Sequence, residues 1–284
     1  MRDSRSAFSC PAHVAFMEPF RVIRPDDELD FSASLQAINS NTYDSSRLTR
    51  IVTSLHLDSG DTAPALICGD GAIAIPCGPD WRSINEVVDA INEVFCSLLL
   101  SGLLCDAVDT RDVTTGNLHE SRSIWPTLFG RSLSSHQHST LRMKIAGGFE
   151  RVALDTPENT SVSVFHQRHE EGRAILKAIP TLSATLLIHG ATELRFGNSM
   201  DALSNLWMVV EQLTEHLWQN RFLADISLQP ASEIKGRRSS LEQDTRTWST
   251  SVRQEILFQV NVLPNQTYSK LHAARRARNE LAHQ

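Results

Sequence analysis

Apolar and polar positions alternate differently in the two parts of the chain, and the first part predicts short strands. Residues 50–57 are rich in β-branched side chains and alternate partly in polarity, as a half-buried strand does. The apolar runs Ala65–Cys68 and Ala72–Pro76 flank a Gly-Asp-Gly turn at residues 69–71, which predicts a β-hairpin. Residues 107–115 form a further candidate strand.

A helix is predicted after this hairpin, with Ser83 as its N-cap. Apolar residues recur at helical spacing from Ile84 to Leu98, so one face of this helix is expected to be buried. Residues 116–148 are polar and irregular, and we interpret them as a linker or a long functional loop. His136 and His138 in this serine-rich segment are expected to be solvated.

The second part of the chain has helical periodicity along most of its length. Helices are predicted over residues 162–178, 181–196 (broken at Gly190), 200–224 and 246–262, and a last helix begins at Asn265 or Thr267. The polar stretch 229–243 is expected to be a mobile loop. Amphipathic helices joined by loops form bundles, so the second part of the chain is predicted to be a helical bundle. Together with the strands of the first part, this bundle predicts an α+β fold class. A mixed α/β domain over residues 1–160 would precede an all-α bundle over residues 161–284.

Composition indicates an ordinary globular protein. The chain has 284 residues, of which 41% are hydrophobic and 21% charged, so disorder is not expected. The longest apolar run, residues 94–104, is interrupted and shorter than the roughly 20 residues that span a bilayer. Five cysteines without a C-x-x-C pair indicate reduced thiols. We therefore expect a cytoplasmic protein with no membrane partner.

Basic residues are concentrated near the end of a chain whose net charge is −6. Residues 221–284 carry ten basic and six acidic side chains. Within the last 20 residues, a single acid, Glu280, accompanies four basic residues: Lys270, Arg275, Arg276 and Arg278. A basic segment on an acidic body suggests a polyanionic partner, although a solvated helix face would have the same charge pattern.

The last predicted helix carries the motif with the clearest chemistry. It ends in the sequence RNELAH, in which four residues separate Arg278 from His283. This motif resembles the Arg-x(4–6)-His signature of the HEPN superfamily, where a polar residue often follows the arginine, as Asn279 does here. A long helix with an acidic residue (206–218) precedes it, and Trp207 belongs to the apolar stripe of that helix. This arrangement is similar to the HEPN domain of Apea-like abortive-infection proteins. The resemblance covers residues 161–284.

The HEPN resemblance implies a metal-independent endoribonuclease of a prokaryotic antiviral-defence or toxin system, without a cofactor. An RNA 2′-hydroxyl would attack the neighbouring phosphate while His283 moves a proton and Arg278 stabilises the charge on the phosphorane oxygens. Asn279 is the third expected catalytic residue. The resemblance also implies a homodimer through the bundle, in which two motifs face one cleft. By analogy, the N-terminal domain would sense a trigger ligand or protein.

Helical geometry distributes these residues over two stripes of the last helix. At about 100° per residue, one face carries a polar set: His272, Arg276, Asn279 and His283. Arg278 lies nearer a core-facing stripe, so its side chain would have to extend along an apolar surface to reach a cleft. The residues expected to bind RNA are His272, Arg275 and Arg276.

Two other functions stay open for this helix. One is a non-catalytic RNA- or nucleotide-binding regulator, and the other is a module that only dimerises. Catalysis would require His283, binding would depend on the arginines and on salt, and dimerisation would depend on neither. A metal site is not expected, because the spacing of His166 and His169 is not that of a zincin and indicates a polar helix face.

Overall fold

The computed structural model describes residues 10–57, 64–77, 83–119, 123–126, 133–145, 150–224 and 248–282. The chain divides into two compact units, Met1–Ile175 and Leu176–Gln284. The structure combines helices and strands, so the expected mixed α and β class is confirmed. The division falls inside a helix, later in the chain than residue 160, where the first domain is predicted to end.

The first unit contains an antiparallel sheet and a small parallel one. Its strands are β1 (Cys10–Phe16), β2 (Arg21–Arg24), β3 (Ile51–Leu55), β4 (Ala65–Cys68), β5 (Ala72–Pro76), β6 (Thr114–His119), β7 (Ser123–Pro126) and β8 (Glu158–Ser161). The six-stranded sheet has the order β3-β4-β5-β1-β6-β7, with every neighbouring pair antiparallel. β2 pairs with β8 in parallel, Arg21 opposite Glu158.

Six helices accompany these strands among the described residues. They are α1 (Leu35–Asn39), α2 (Ser46–Thr49), α3 (Ile84–Leu100), α4 (Leu133–Arg142), α5 (Glu150–Asp155) and α6 (Val162–Ala178), which continues into the second unit. The predicted β4–β5 hairpin and the start of α3 are confirmed. The Glu86 amide donates to Ser83 Oγ at 3.3 Å, and the Ser83 amide donates to Glu86 Oε2 at 2.9 Å. This capping box satisfies amide groups that the helix itself leaves unpaired.

The prediction of an irregular segment over residues 116–148 is wrong for its described part. That part contains most of β6, all of β7 and all of α4. His138 in α4 is fully buried instead of solvated, and Ser135 and Arg142 are buried with it. The polar composition was misleading because these side chains have partners inside the protein. Of residues 107–115, only the last two belong to a strand.

α6 contacts the rest of the first unit through polar and small residues. His166 Nε2 lies 2.6 Å from Thr53 Oγ1 on β3, and His169 Nδ1 lies 2.6 Å from Ser97 Oγ on α3. A Cβ placed on Gly172 would lie 1.7 Å from the Ser97 carbonyl oxygen, so only glycine permits this approach. The predicted polar face is therefore wrong for His169, which is buried.

The described part of the second unit is helical. Its elements are α7 (Ala184–Arg195), α8 (Ser199–Leu217), a π-helical turn (Trp218–Phe222), α9 (Thr250–Gln259) and α10 (Asn265–Ala282). α7 continues through Gly190, contrary to the expected break. A Cβ at this position would lie 2.7 Å from the Leu206 side chain, so the glycine serves close packing and does not end the helix. Trp218, Phe222, Leu257 and Leu263 form a buried cluster. The loop predicted at 229–243 lies outside the described residues.

Within the described ranges, no helix combines the length and apolar character that crossing a bilayer requires.

Candidate functional site

α10 is anchored on the preceding helix through its first turns. It follows Pro264, whose carbonyl accepts from the Tyr268 amide at 3.0 Å. The Tyr268 ring stacks on Phe258 with 4.7 Å between ring centroids, and its hydroxyl donates to Glu255. This hydrogen bond lowers the pKa of the Glu255 carboxyl and raises that of the Tyr268 hydroxyl. The part of α10 that carries the motif therefore extends from a fixed beginning.

Two basic side chains of α10, Arg275 and Arg276, have partners on the same helix. Arg275 Nη2 lies 2.9 Å from His272 Nδ1. Arg276 Nη2 lies 3.8 Å from Glu280 Oε1, with 72% and 68% of the two side chains exposed. Ion pairs this exposed contribute about 0–1 kcal/mol, so a phosphate can compete for Arg276 at little cost.

Arg278 has a more specific environment than the other arginines. Its guanidinium carbon lies 5.4 Å from the ring centroid of Trp207 on α8, within the range of a cation–π interaction. The Trp207 indole Nε1–H donates to Glu211 Oε1 at 2.6 Å. Arg278 is exposed, whereas only 4% of Trp207 is exposed. The guanidinium is therefore held beside an immobilised ring and stays open to solvent.

The structure brings only some of the predicted site residues into contact with one another. It brings Arg275 to His272, and it places Arg276 and Asn279 at exposed positions on α10. Arg278 contacts Trp207, a residue that the sequence pattern assigns only to the apolar stripe of its helix. His283 lies outside the described residues, so its position relative to Arg278 stays a prediction.

The first unit contains a buried charged cluster that sequence reasoning missed. Arg142, at the end of α4, donates to Asp70 in the β4–β5 turn through Nε at 2.6 Å and Nη2 at 2.7 Å. Burial alone would raise the pKa of the Asp70 carboxyl, but Arg142 and His138 outweigh it and hold this pKa far below its usual range. Arg142 also donates to the carbonyl of Ile124 on β7. The cluster thus ties α4 to two parts of the sheet.

His138 lies between two carboxylates in this cluster. Its Nδ1 is 3.2 Å from Asp70 Oδ2, and its Nε2 is 3.5 Å from Glu18 Oε1. The imidazole also stacks on the Phe16 ring, with 4.2 Å between centroids. Burial disfavours the imidazolium, but Asp70 and Glu18 together raise the pKa of His138 above 6.5. The geometry therefore stabilises the protonated ring.

This arrangement predicts a pH dependence of stability. Because the folded pKa of His138 exceeds its unfolded value, its contribution is complete below the unfolded pKa and is lost as the pH rises through the folded pKa. Urea unfolding from about pH 5 to pH 9 should show the wild type losing free energy of unfolding relative to His138→Gln. Exposed His136 on the same helix provides the control, His136→Gln, which should follow the wild type. Parallel curves for wild type and His138→Gln would contradict the prediction.

Comparisons with family models, with curated proteins and with solved structures find no match for this chain. Within the described ranges, no group of three or more histidine, cysteine or acidic side chains is arranged to hold a metal ion. Any functional assignment must therefore come from the chemistry of the residues themselves.

Proposed function

We propose that this protein is a metal-independent endoribonuclease that cleaves RNA with Arg278 and His283 in a HEPN-like helical bundle. The observation that carries the proposal is the position of Arg278, whose exposed guanidinium is held against Trp207 near the end of α10. Four residues separate Arg278 from His283 in the sequence, so the two side chains belong to one short motif.

The proposed reaction is an intramolecular transesterification. His283 accepts the proton of the RNA 2′-hydroxyl as that oxygen bonds to phosphorus, and the bond from phosphorus to the 5′-oxygen breaks. Arg278 donates hydrogen bonds to the non-bridging oxygens, where negative charge increases in the transition state. The departing 5′-oxygen takes a proton from the second copy of the motif in a homodimer. The products are a 2′,3′-cyclic phosphate and a 5′-hydroxyl.

The neighbouring polar residues of α10 would bind the RNA backbone. Arg275 and Arg276 can each neutralise a phosphate, and His272 contacts the Arg275 guanidinium directly. Asn279 is exposed and can hydrogen-bond to a phosphate or a sugar. We assign the complete protein to a cytoplasmic prokaryotic defence or toxin system, with the first unit sensing the trigger.

A binding protein without catalysis is the second candidate. The exposed pairing of Arg276 with Glu280 favours it, because such a surface binds phosphates whether or not a histidine is positioned for chemistry. This regulator would bind RNA with an affinity that falls steeply as salt increases, and it would leave the RNA intact.

The test is to incubate the full chain with bulk tRNA in excess EDTA. The proposal expects fragments with 2′,3′-cyclic phosphate ends, and no cleavage of a matched RNA whose riboses carry 2′-O-methyl groups. Intact RNA together with salt-dependent binding would overturn the nuclease and support the regulator. Cleavage that requires a divalent cation would also overturn it.

A further inference from the structure

We propose that Trp207 is the positioning residue for Arg278, and that Glu211 fixes the orientation of the Trp207 indole. This inference rests on the proposed function, because it describes how the same site holds its cation. It is based on two successive contacts that link α8 to α10. Glu211 Oε1 lies 2.6 Å from Trp207 Nε1, and the Trp207 ring centroid lies 5.4 Å from the guanidinium carbon of Arg278.

The first contact orients the ring. Glu211 lies four positions after Trp207 in α8, so their side chains lie on the same face of that helix. The indole has a single N–H donor, and Glu211 Oε1 accepts it. A charge-assisted hydrogen bond of this kind restrains rotation of the ring, and the nearby carboxylate makes the ring a better partner for a cation.

The second contact restrains Arg278 without using its hydrogen-bond donors. A guanidinium over the face of an aromatic ring is attracted by the negative charge of that face, and this attraction does not use its N–H donors. The donors of Arg278 can therefore bind two phosphate oxygens while the ring holds the group in place. A lysine would keep the charge but would lose this two-point geometry.

Burial argues against a direct role for Trp207 in binding bases. A ring on which RNA bases stack must present a free face, and only 4% of Trp207 is exposed. The ring can therefore act on the RNA only through Arg278, and its loss should affect the rate of the chemical step more than the affinity for RNA.

The first experiment measures single-turnover cleavage in EDTA by Trp207→Leu and Trp207→Phe. We expect Trp207→Leu to lower the rate constant about tenfold at saturating RNA with little change in affinity. Trp207→Phe keeps a ring but loses the hydrogen bond to Glu211, so it should lower the rate constant by a smaller factor. In an Arg278→Ala background, Trp207→Leu should cause no further loss, because the two residues act as one unit. A purely structural role would instead give an additive loss in that background.

The second experiment detects the contact without relying on activity. The Arg278 Nε–H resonance, identified by its disappearance in Arg278→Lys, should be displaced by the ring current of Trp207. The displacement should vanish in Trp207→Leu and persist in Trp207→Phe. Trp248→Leu is the matched control, because Trp248 packs on Trp218 in the same unit.

The outcomes separate the two proposals. Wild-type cleavage by Arg278→Ala would overturn the proposed nuclease, while the Arg278 resonance would still test the contact. Loss of cleavage in Arg278→Ala but wild-type cleavage by Trp207→Leu would overturn the positioning role. An Arg278 resonance that does not change in Trp207→Leu would overturn it as well.

Discussion

Asp70→Asn is expected to lower the free energy of unfolding of the first unit by about 3–5 kcal/mol. The substitution preserves the shape of the side chain but leaves the Arg142 guanidinium buried without its anionic partner. Both side chains are almost completely inaccessible, so water cannot replace the lost carboxylate. His138 loses one of its two carboxylates at the same time. We expect the transition in urea, followed by far-ultraviolet circular dichroism, to move to much lower concentration.

An exposed ion pair of the same unit provides the control. Arg111 lies 3.3 Å from Asp109, with 74% and 50% of the two side chains exposed, so Asp109→Asn should cost less than about 1 kcal/mol. Adding Arg142→Met to Asp70→Asn removes the unpaired cation, and the double variant should be more stable than the sum of the single effects indicates. Equal costs for Asp70→Asn and Asp109→Asn would show that the buried pair does not stabilise the unit.

His283→Ala is expected to lower the rate of RNA cleavage about 10²–10⁴-fold, because the 2′-hydroxyl loses its proton acceptor. Arg278→Ala should lower it about 10²–10³-fold through the loss of charge stabilisation in the transition state. Both effects should appear in the rate constant at saturating RNA, measured in single turnover. Affinity for RNA should change little in His283→Ala, since the phosphate contacts are assigned to the arginines of α10.

Arg276→Ala is the matched control for these two variants. It removes a cation from the same helix, but one that pairs with exposed Glu280 and is not assigned to the reaction. It should weaken RNA binding and reduce the slope of log K against log salt by about 1, with the saturated rate preserved. Full cleavage by His283→Ala, or equal losses for Arg276→Ala and Arg278→Ala, would contradict the assigned roles.

Local signals in the sequence were sufficient for several elements of the fold. The sequence predicts Ser83 as the N-cap of α3, where the structure places it, and the turn at 69–71 predicts the β4–β5 hairpin. α4 could not be predicted in the same way. The partners of its polar residues lie far away in the chain, Asp70 being 72 residues from Arg142. Without those partners, a serine- and histidine-rich segment has the composition of a loop.

The candidate site shows the same limit. The spacing of Arg278 and His283 is a local feature, as is the cluster of basic residues in α10, so both can be identified from the sequence alone. Trp207 was found only as part of an apolar stripe, because helical periodicity does not reveal which ring a distant arginine will contact. Gly190 was interpreted as a helix break, whereas its role is to admit Leu206 from α8 at close range. Close packing between elements leaves no signature in either sequence segment alone.

The strand order has a consequence for how the first unit forms during synthesis. β1 precedes the other described strands in the chain but lies between β5 and β6 in the sheet. β2 can pair only after β8 has been synthesised, and β8 ends at Ser161. On a ribosome, the earliest strands therefore emerge long before their partners, with both edges of β1 unpaired. Folding of this unit is expected to be a late, length-dependent event. Until then, the nascent chain exposes apolar edges that chaperones can bind.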